Sequence, residues 1–287
     1  MKRPDLGTLW LVATPIGDPD DLSPRARRVL IAAEGVAAED TRVTEQLLRG
    51  LGAWPKRLVS CHDHNERGRA GEIVGKLLDG QSWALVSDAG TPLVSDPGFV
   101  VVRAALAADI RVVPVPGPCA AVVALVASGL PPDAWRFCGF LPRDPGPRLA
   151  AAEALAYETA TLVFYESPRR LLEGLDALHA ALGDRRVAVA FELTKTYERW
   201  HRGTLAEVRA ELMADEDTIR GEATVVVAGF EGEPGAKERD QVLSAAAALG
   251  RAGVAPSVVR DALAATFGVP RRDVYQAALA AGQESNG

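Results

Sequence analysis

The chain has 287 residues, of which 48% are apolar and 24% charged, and its formal net charge is −6. This is ordinary globular usage at a length sufficient for two modest domains, and the acidic balance disfavours broad non-specific binding of nucleic acid. No apolar run approaches the ~20 residues of a membrane span, and the three cysteines, Cys61, Cys119 and Cys138, lack paired spacing, so a cytoplasmic location is expected.

Strand and helix patterns alternate along the first part of the chain. Short apolar runs predict strands at residues 9–13, 36–38, 58–60, 83–86 and 110–115. Apolar positions at helical spacing predict helices at residues 24–34, 41–51, 66–78, 97–108 and 119–128. Ser23 is expected to cap the first of these helices and Gly129 to close the last. This alternation indicates a mostly parallel sheet covered by helices.

A break at residues 129–133 precedes a second set of elements. Strands are predicted at residues 135–140, 161–165, 187–193 and 221–229, and helices at residues 149–157, 171–182 and 204–213. A linker at residues 231–235 leads to three short helical segments that are rich in Ala and Val. The predicted organisation is an N-terminal α/β domain at residues 1–130, a second α/β domain at 131–235 and a small helical domain at 236–287.

The segment SDAGTPLVSDPG, residues 87–98, directly follows the predicted strand at residues 83–86. Its Gly and Pro residues predict a shaped loop, because Gly permits unusual φ values and Pro fixes φ. Ligands of open α/β sheets bind at the carboxyl ends of strands, so this loop predicts a small-molecule site. Asp88 is the first candidate ligand residue, whereas Asp96 is expected to cap the helix that begins at Pro97.

Other strand exits carry polar groups with more than one interpretation. The first turn, ATPIGD, contains only Gly17 and therefore lacks the G-x-G-x-x-G pattern of nicotinamide-binding domains. Glu39 and Asp40 stand beside Arg42, where a solvated ion pair or a helix cap is the simpler interpretation. CHDHNE at residues 61–66 carries two histidines, but without a second ligand pair a polar pocket wall is favoured over a metal site.

Two segments that follow predicted strands in the second half each place a Glu before a basic residue. They are YESPRR at residues 165–170 and FELTKTYE at residues 191–198. Such pairs are commonly structural. If both faced the loops of the first half, they would form the second wall of a cleft. Desolvation there would depress the pKa of Lys195.

Ten motifs occur together in one known family and in this order: ATPIGD, AAEDTR, SCHDHNE, ALVSDAGTPLVSDPG, PVPGPCA, GFLP, FYESP, ELTK, RGT and GEATVVVAG. On these motifs the chain resembles the bacterial ribosomal RNA small-subunit methyltransferase I family. That family lies in the tetrapyrrole-methylase-like class of S-adenosylmethionine-dependent enzymes. The resemblance covers about residues 7–229, and the helical tail matches the family's appendage. It implies an α/β fold with two α/β domains of the tetrapyrrole methylase type, a cofactor cleft between them and a homodimer.

The resemblance also implies an activity and site residues. The activity would be 2′-O-methylation of a cytidine in the decoding region of 16S rRNA, on the 30S subunit, with S-adenosylmethionine as cofactor and no metal. The motifs carry over these cofactor-binding positions: Pro15, Ile16, Asp88, Thr91, Cys119 and Ala120. The candidates for handling the proton or orienting the ribose are Lys195 and Glu39, with Asp40, Glu166 and Glu192 in support. The chain departs from the family pattern at Arg169, in a histidine position, and at Phe191, in an arginine position.

Two other functions remain open on the sequence. One is a methylase of the same fold that acts on a tetrapyrrole or another small molecule, and the other is a non-catalytic ribosome assembly factor. For an RNA substrate, the candidate phosphate contacts are Arg42, Arg67, Arg69, Arg143, Arg148, Arg169 and Arg170.

Overall fold

The computed structural model describes residues 6–54, 57–216, 219–233 and 235–284. The chain forms two compact units, the first comprising Met1–Leu155 with Ala160–Gly229 and the second comprising Ala156–Thr159 with Phe230–Gly287. Both α/β sheets lie in the first unit. The finer division at residues 130 and 235 stays a prediction from the sequence.

The first sheet contains five parallel strands in the order β3-β2-β4-β1-β5. The strands are β1 (Thr8–Val12), β2 (Gly35–Ala38), β3 (Arg57–Ser60), β4 (Trp83–Val86) and β5 (Arg111–Val115). The helices between and after them are α1 (Pro24–Ala32), α2 (Thr41–Gly50), α3 (Glu66–Leu78), α4 (Phe99–Ala107) and α5 (Ala120–Ser128). The predicted parallel sheet is confirmed, and its five carboxyl ends meet at one edge.

Capping residues set the helix ends as the sequence predicts. The Ser23 hydroxyl accepts from the Ala26 N–H at 3.1 Å, and Pro24 occupies the first turn of α1, where its missing N–H costs nothing. Gly129 ends α5 in the left-handed conformation, with φ of 81°. That conformation is strained for residues with a side chain but accessible to Gly.

The second sheet is mixed, with the order β6-β7-β10-β8-β9. Its strands are β6 (Trp135–Phe140), β7 (Thr161–Glu166), β8 (Arg186–Phe191), β9 (Arg199–Thr204) and β10 (Ala223–Val227), and its helices are α6 (Pro145–Glu153), α7 (Leu171–Leu182) and α8 (Leu205–Ala214). Strand β6 runs parallel to β7, and the other pairs are antiparallel. The edge strand β9 was not predicted, because its sequence RWHRGT lacks an apolar run.

Helix α5 joins the two sheets. Its Ala121, Ala124 and Leu125 are buried in one apolar cluster with Val163 and Val226 of the second sheet. Burial of apolar surface contributes roughly 25 cal/mol per Å², so this cluster holds the second sheet against the end of β5. Ile16 belongs to the same cluster and Cys119 packs against it, so the turns after β1 and β5 lie next to the second sheet.

The second unit contains α9 (Ala236–Arg251), α10 (Pro256–Phe267) and α11 (Arg271–Glu284), as the sequence predicts. Val242, Val259 and Val274 are buried in their shared core. Gly250 allows α9 to approach α11, since a Cβ at this position would lie 2.1 Å from the Ala278 carbonyl oxygen. No helix in the described ranges is both long and apolar enough to cross a membrane.

Candidate active site

The loop after β4 is held by hydrogen bonds to neighbouring strand exits. The Thr14 and Gly90 backbones exchange two hydrogen bonds, at 2.9 and 3.1 Å, and the Thr91 hydroxyl donates to the Pro118 carbonyl at 2.8 Å. Leu93 and Ser95 both have positive φ, at 72° and 68°, which is uncommon for residues other than Gly. Such conformations persist where surrounding contacts over-determine them, so the loop has a fixed shape.

We expect Gly98→Ala to lower the free energy of unfolding by about 1–3 kcal/mol. Gly98 has φ of 120°, and an added Cβ would lie 2.6 Å from Cδ2 of the buried Leu85. Urea unfolding measures the change. The matched control is Gly75→Ala on the exposed face of α3, where an added Cβ meets nothing within 4 Å and should stabilise the protein slightly. Equal effects of the two substitutions would contradict the described loop geometry.

A cavity of about 380 Å³ opens between the two sheets of the first unit. Four of the predicted cofactor-binding residues line it: Ile16, Thr91, Cys119 and Ala120. Across from them, Phe140, Tyr165 and Glu166 provide part of the opposite wall. The volume lies within the range typical of small-molecule sites. The turns after β1, β4 and β5 thus supply one wall of a single cavity, hereafter the cleft cavity.

The other two predicted cofactor-binding residues, Pro15 and Asp88, line a separate cavity of about 580 Å³ beside α2. The Asp88 carboxylate accepts from the Asp40 N–H at 2.9 Å, which ties the exit of β4 to the exit of β2. Burial raises the pKa of Asp88. The hydrogen bond from the Asp40 N–H lowers this pKa in part, and the negative charge of the Asp40 carboxylate raises it. The structure thus places Asp88 outside the cleft cavity, and its role in cofactor binding stays a prediction.

Glu39 and Asp40 differ in their surroundings. Asp40 caps α2 by accepting from the Arg42 N–H at 2.8 Å, and it also pairs with the Arg42 guanidinium. These hydrogen bonds from Arg42 lower the pKa of Asp40 to about 2. Burial raises the pKa of Glu39, and the charge of Asp88 raises it further. Asp40 is therefore committed to the cap, whereas Glu39 holds a proton more readily than an ordinary glutamate.

Glu166 lines the cleft cavity, but its carboxylate is already paired. It lies 2.6 Å from the Arg170 guanidinium, and its side chain is only 3% exposed. It also accepts from the Ser167 N–H at 2.8 Å. These contacts fix the turn after β7, so Glu166 shapes the cavity wall and is poorly placed to exchange a proton.

Lys195 bridges two carboxylates at the edge of the second sheet. Its Nζ lies 3.0 Å from Glu192 and 3.1 Å from Glu222, and Glu222 lines the cleft cavity. Burial favours the neutral amine, but the hydrogen bonds to both carboxylates outweigh it and raise the pKa of Lys195. The expected depressed pKa was therefore wrong. Glu192 stands three residues before Lys195 in the sequence, but Glu222 reaches Lys195 only through the tertiary fold. Lys195 is a cation that positions Glu222.

Asp96, which we expected to be a helix cap, lies in the cleft cavity. Helix α4 begins at Phe99 with Gly98 as its N-cap, and the Gly98 N–H donates to Glu66 at 2.8 Å. Burial raises the pKa of Asp96 to about 7, although a hydrogen bond from Ser87 acts to lower this pKa. The cap prediction was therefore wrong. The available signal was a second aspartate in the same loop as Asp88.

Tyr165 connects the second sheet to the N-terminus of α5. Its hydroxyl accepts from the Ala121 N–H at 3.1 Å and lies 4.0 Å from the Cys119 sulfur. The Phe137 ring packs edge-on against it, with ring centroids 4.9 Å apart. Burial raises the pKa of Tyr165, with a further contribution from Cys119. The phenol therefore stays neutral and fixes the turn that carries Cys119 and Ala120.

The predicted phosphate-binding arginines divide into paired and exposed groups. Arg148 is only 4% exposed and pairs with Glu173 at 2.6 Å, so its assignment to a phosphate contact was wrong. Those with acidic partners in the same unit are Arg42, Arg69, Arg148 and Arg170. Those with exposed side chains outside these pairs are Arg67, Arg143 and Arg169. Within the described residues, no group of three or more His, Cys, Asp or Glu side chains could hold a metal ion.

Comparison with known proteins identifies similar sequences over most of the chain. The family model of Tetrapyrrole (Corrin/Porphyrin) Methylases matches residues 8–209. A protein of Micromonospora olivasterospora named ribosomal RNA small subunit methyltransferase I is 45% identical over 94% of this chain and 86% of its own length. A protein of the same name from Xylella fastidiosa is 45% identical over 94% of this chain and 98% of its own length. Another, from Pseudomonas aeruginosa, is 49% identical over 80% of this chain and 81% of its own length.

Solved structures with the same fold act on other substrates by name. A uroporphyrin-III C-methyltransferase from Thermus thermophilus has a TM-score of 0.55 and 25% identity, covering 77% of this chain and 94% of that one. Another structure of a protein of that name was solved in complex with S-adenosylhomocysteine. It has a TM-score of 0.55 and 22% identity, and the match covers 77% of this chain and 97% of that one.

Proposed function

This chain belongs to the tetrapyrrole methylase family and, within it, to the ribosomal RNA small subunit methyltransferase I family, and we propose that it methylates a cytidine ribose of 16S rRNA. The proposed reaction transfers a methyl group from S-adenosylmethionine to the 2′-oxygen of a cytidine in the decoding region, on the 30S subunit. The observation that carries this proposal is the cleft cavity, in which four motif residues of the family converge.

The groups around the cleft cavity match the chemistry of S-adenosylmethionine. Ile16, Val94 and Phe140 offer apolar surface for an adenine ring. Ala120 begins α5 and lines the cavity, and the N–H of a first helical residue has no acceptor within its helix, so it suits one carboxylate oxygen of the methionine part. The next N–H, that of Ala121, already donates to the Tyr165 hydroxyl. When bound, the cofactor would supply an electrophilic methyl group.

The chain must then align the ribose oxygen with the methyl group and remove the hydroxyl proton. The fixed loop after β4 and the neutral Tyr165 hold two walls of the cavity rigid. Exclusion of water from the occupied cavity would strengthen the electrostatic interactions of the charged groups in it. In this account Lys195 does not accept the proton, because its amine is already protonated.

We expect Lys195→Ala to lower the single-turnover methylation rate about tenfold while changing the cofactor dissociation constant less than about threefold. Its loss leaves Glu192 and Glu222 facing each other without the cation between them. Lys195→Arg, which keeps the charge, should retain more of the rate. The control is Lys76→Ala at the end of α3. A Lys195→Ala rate equal to wild type would remove this residue from the account.

The exposed arginines are proposed as phosphate contacts of the RNA. The logarithm of the binding constant falls linearly with the logarithm of the salt concentration, and each phosphate contact that is lost should make this slope shallower by about one. Arg143→Ala and Arg169→Ala are the substitutions to measure, on binding to 30S subunits at several salt concentrations. Arg148 is unsuitable for this test because it is buried and its loss would disturb α6.

We also propose a homodimer, as the family resemblance implies. Large apolar side chains are exposed on α4 and α5, with Phe99 60%, Leu106 59% and Val126 70% accessible. Phe99 and Leu106 are seven residues apart and therefore share one face of α4, and an exposed apolar face is characteristic of association sites. Sedimentation equilibrium should give twice the chain mass. A monomer at micromolar concentration would contradict the proposal.

The proposed reaction is tested with purified protein, labelled S-adenosylmethionine and 30S subunits from cells lacking the gene. We expect label in one 2′-O-methylcytidine of 16S rRNA. Labelling of a precorrin but not of 30S subunits would favour a small-molecule methylase. Binding to 30S subunits without turnover would favour an assembly factor.

A further inference from the structure

Three carboxylates line the cleft cavity, and they differ in their partners. Glu166 pairs with Arg170 at 2.6 Å, and Glu222 pairs with Lys195 at 3.1 Å. Asp96 instead receives a hydrogen bond from the neutral Ser87 and faces other carboxylates. A carboxylate held by a cation is a weak base, because the cation stabilises its ionised form. Asp96 is therefore the carboxylate of this cavity best suited to take up a proton.

The surroundings of Asp96 come from several elements. Glu39 follows β2, Asp63 follows β3 and Asp88 follows β4, and each carries negative charge toward Asp96. Tyr165 of β7 also lies close enough to interact with it electrostatically. Burial and these charges all favour the protonated carboxyl, and together they raise the pKa of Asp96 to about 7. A general base works best when its pKa lies close to the working pH.

The remaining candidates fit this task less well. Asp40 caps α2 and pairs with Arg42, and its pKa is lowered to about 2. Lys195 is held as a cation between two carboxylates. Glu39 has a raised pKa, but it is not among the residues that line the cleft cavity.

We propose that Asp96 is the general base that accepts the proton of the attacking ribose 2′-hydroxyl. This assignment rests on the proposed function. The 2′-oxygen forms a bond to the methyl carbon as the carbon–sulfur bond breaks, and that electron pair stays on sulfur. The hydroxyl proton passes to an Asp96 oxygen, and solvent removes it after product release. No further reactant is needed.

The test compares Asp96→Asn with Asp79→Asn, an exposed position after α3, as the matched control. Single-turnover methylation of 30S subunits is measured at saturating S-adenosylmethionine between pH 5.5 and 9. For wild type, the logarithm of the rate should rise with unit slope and level off above a pKa near 7. Asp96→Asn should be at least about 100-fold slower at pH 8 and lose this dependence. Asp79→Asn should match wild type.

Two measurements do not depend on turnover. By calorimetry, Asp96→Asn should bind S-adenosylmethionine within about threefold of wild type, since it keeps the shape of the side chain. In carboxyl-carbon NMR of the free protein, one aspartate signal should titrate near pH 7 and be absent from Asp96→Asn. If Asp96→Asn does not fold, Asp96→Ser replaces it in every measurement.

Each outcome decides the assignment. A wild-type rate in the variant would overturn it. A large loss of affinity with an unchanged rate at saturation would also overturn it, because Asp96 would then hold the cofactor. Absence of any 2′-O-methyl product with wild type would overturn the proposed function and the assignment together. An active wild type with an active variant overturns the assignment alone.

Discussion

Ala120→Leu should weaken S-adenosylmethionine binding by at least about 100-fold, which corresponds to about 2.7 kcal/mol. Ala120 begins α5 and lines the cleft cavity of about 380 Å³. A larger side chain there occupies the cofactor's space and covers the N-terminus of the helix. Calorimetry on the purified protein measures the loss.

Two controls locate the effect. Ala127→Leu adds the same atoms to the same helix at an exposed position and should leave binding unchanged. Gln46→Leu alters the neighbouring cavity of about 580 Å³, which Pro15 and Asp88 also line, and should have little effect. If Gln46→Leu weakens binding and Ala120→Leu does not, the cofactor occupies that neighbouring cavity and our placement is wrong.

Glu166→Ala should lower the free energy of unfolding by about 3–5 kcal/mol, because it leaves the partly buried Arg170 without its counter-ion. The Glu166 side chain is 3% exposed and lies 2.6 Å from the guanidinium. Urea unfolding of the full chain measures this loss, and the turn after β7 should become disordered with it.

The matched control is Glu45→Ala, which breaks another i,i+4 pair. Glu45 and Arg49 lie on the surface of α2, with side chains 35% and 68% exposed. Exposed pairs contribute little, so this substitution should cost less than about 0.5 kcal/mol. A similar cost for the two substitutions would show that burial does not strengthen the Glu166–Arg170 pair.

Patterns of local origin predicted most of the elements. Helix α7 begins and ends at the predicted residues, Leu171 and Leu182, since its apolar spacing is regular and Gly183 follows it. The five strands of the first sheet were predicted because buried parallel strands are short continuous apolar runs. Strand β9 was missed because an edge strand buries less and keeps polar side chains.

Charge partners were the part of the site that local patterns did not provide. Arg148 and Glu173 are far apart in sequence, so the buried pair that removes Arg148 from the surface was not visible. Glu222 reaches Lys195 from the segment before β10, and together with the nearby Glu192 it reverses the expected pKa shift of Lys195. Asp96 was misassigned because α4 begins two residues later than predicted. These effects depend on tertiary contacts.

Mass mapping of 16S rRNA from a strain that lacks this gene would show directly whether the protein methylates a cytidine ribose. We predict that one cytidine of the decoding region loses a methyl group from its ribose, and that purified protein with S-adenosylmethionine restores it on isolated 30S subunits. An unchanged methylation pattern in the deletion strain, or a methyl group restored on the base instead of the ribose, would contradict the account.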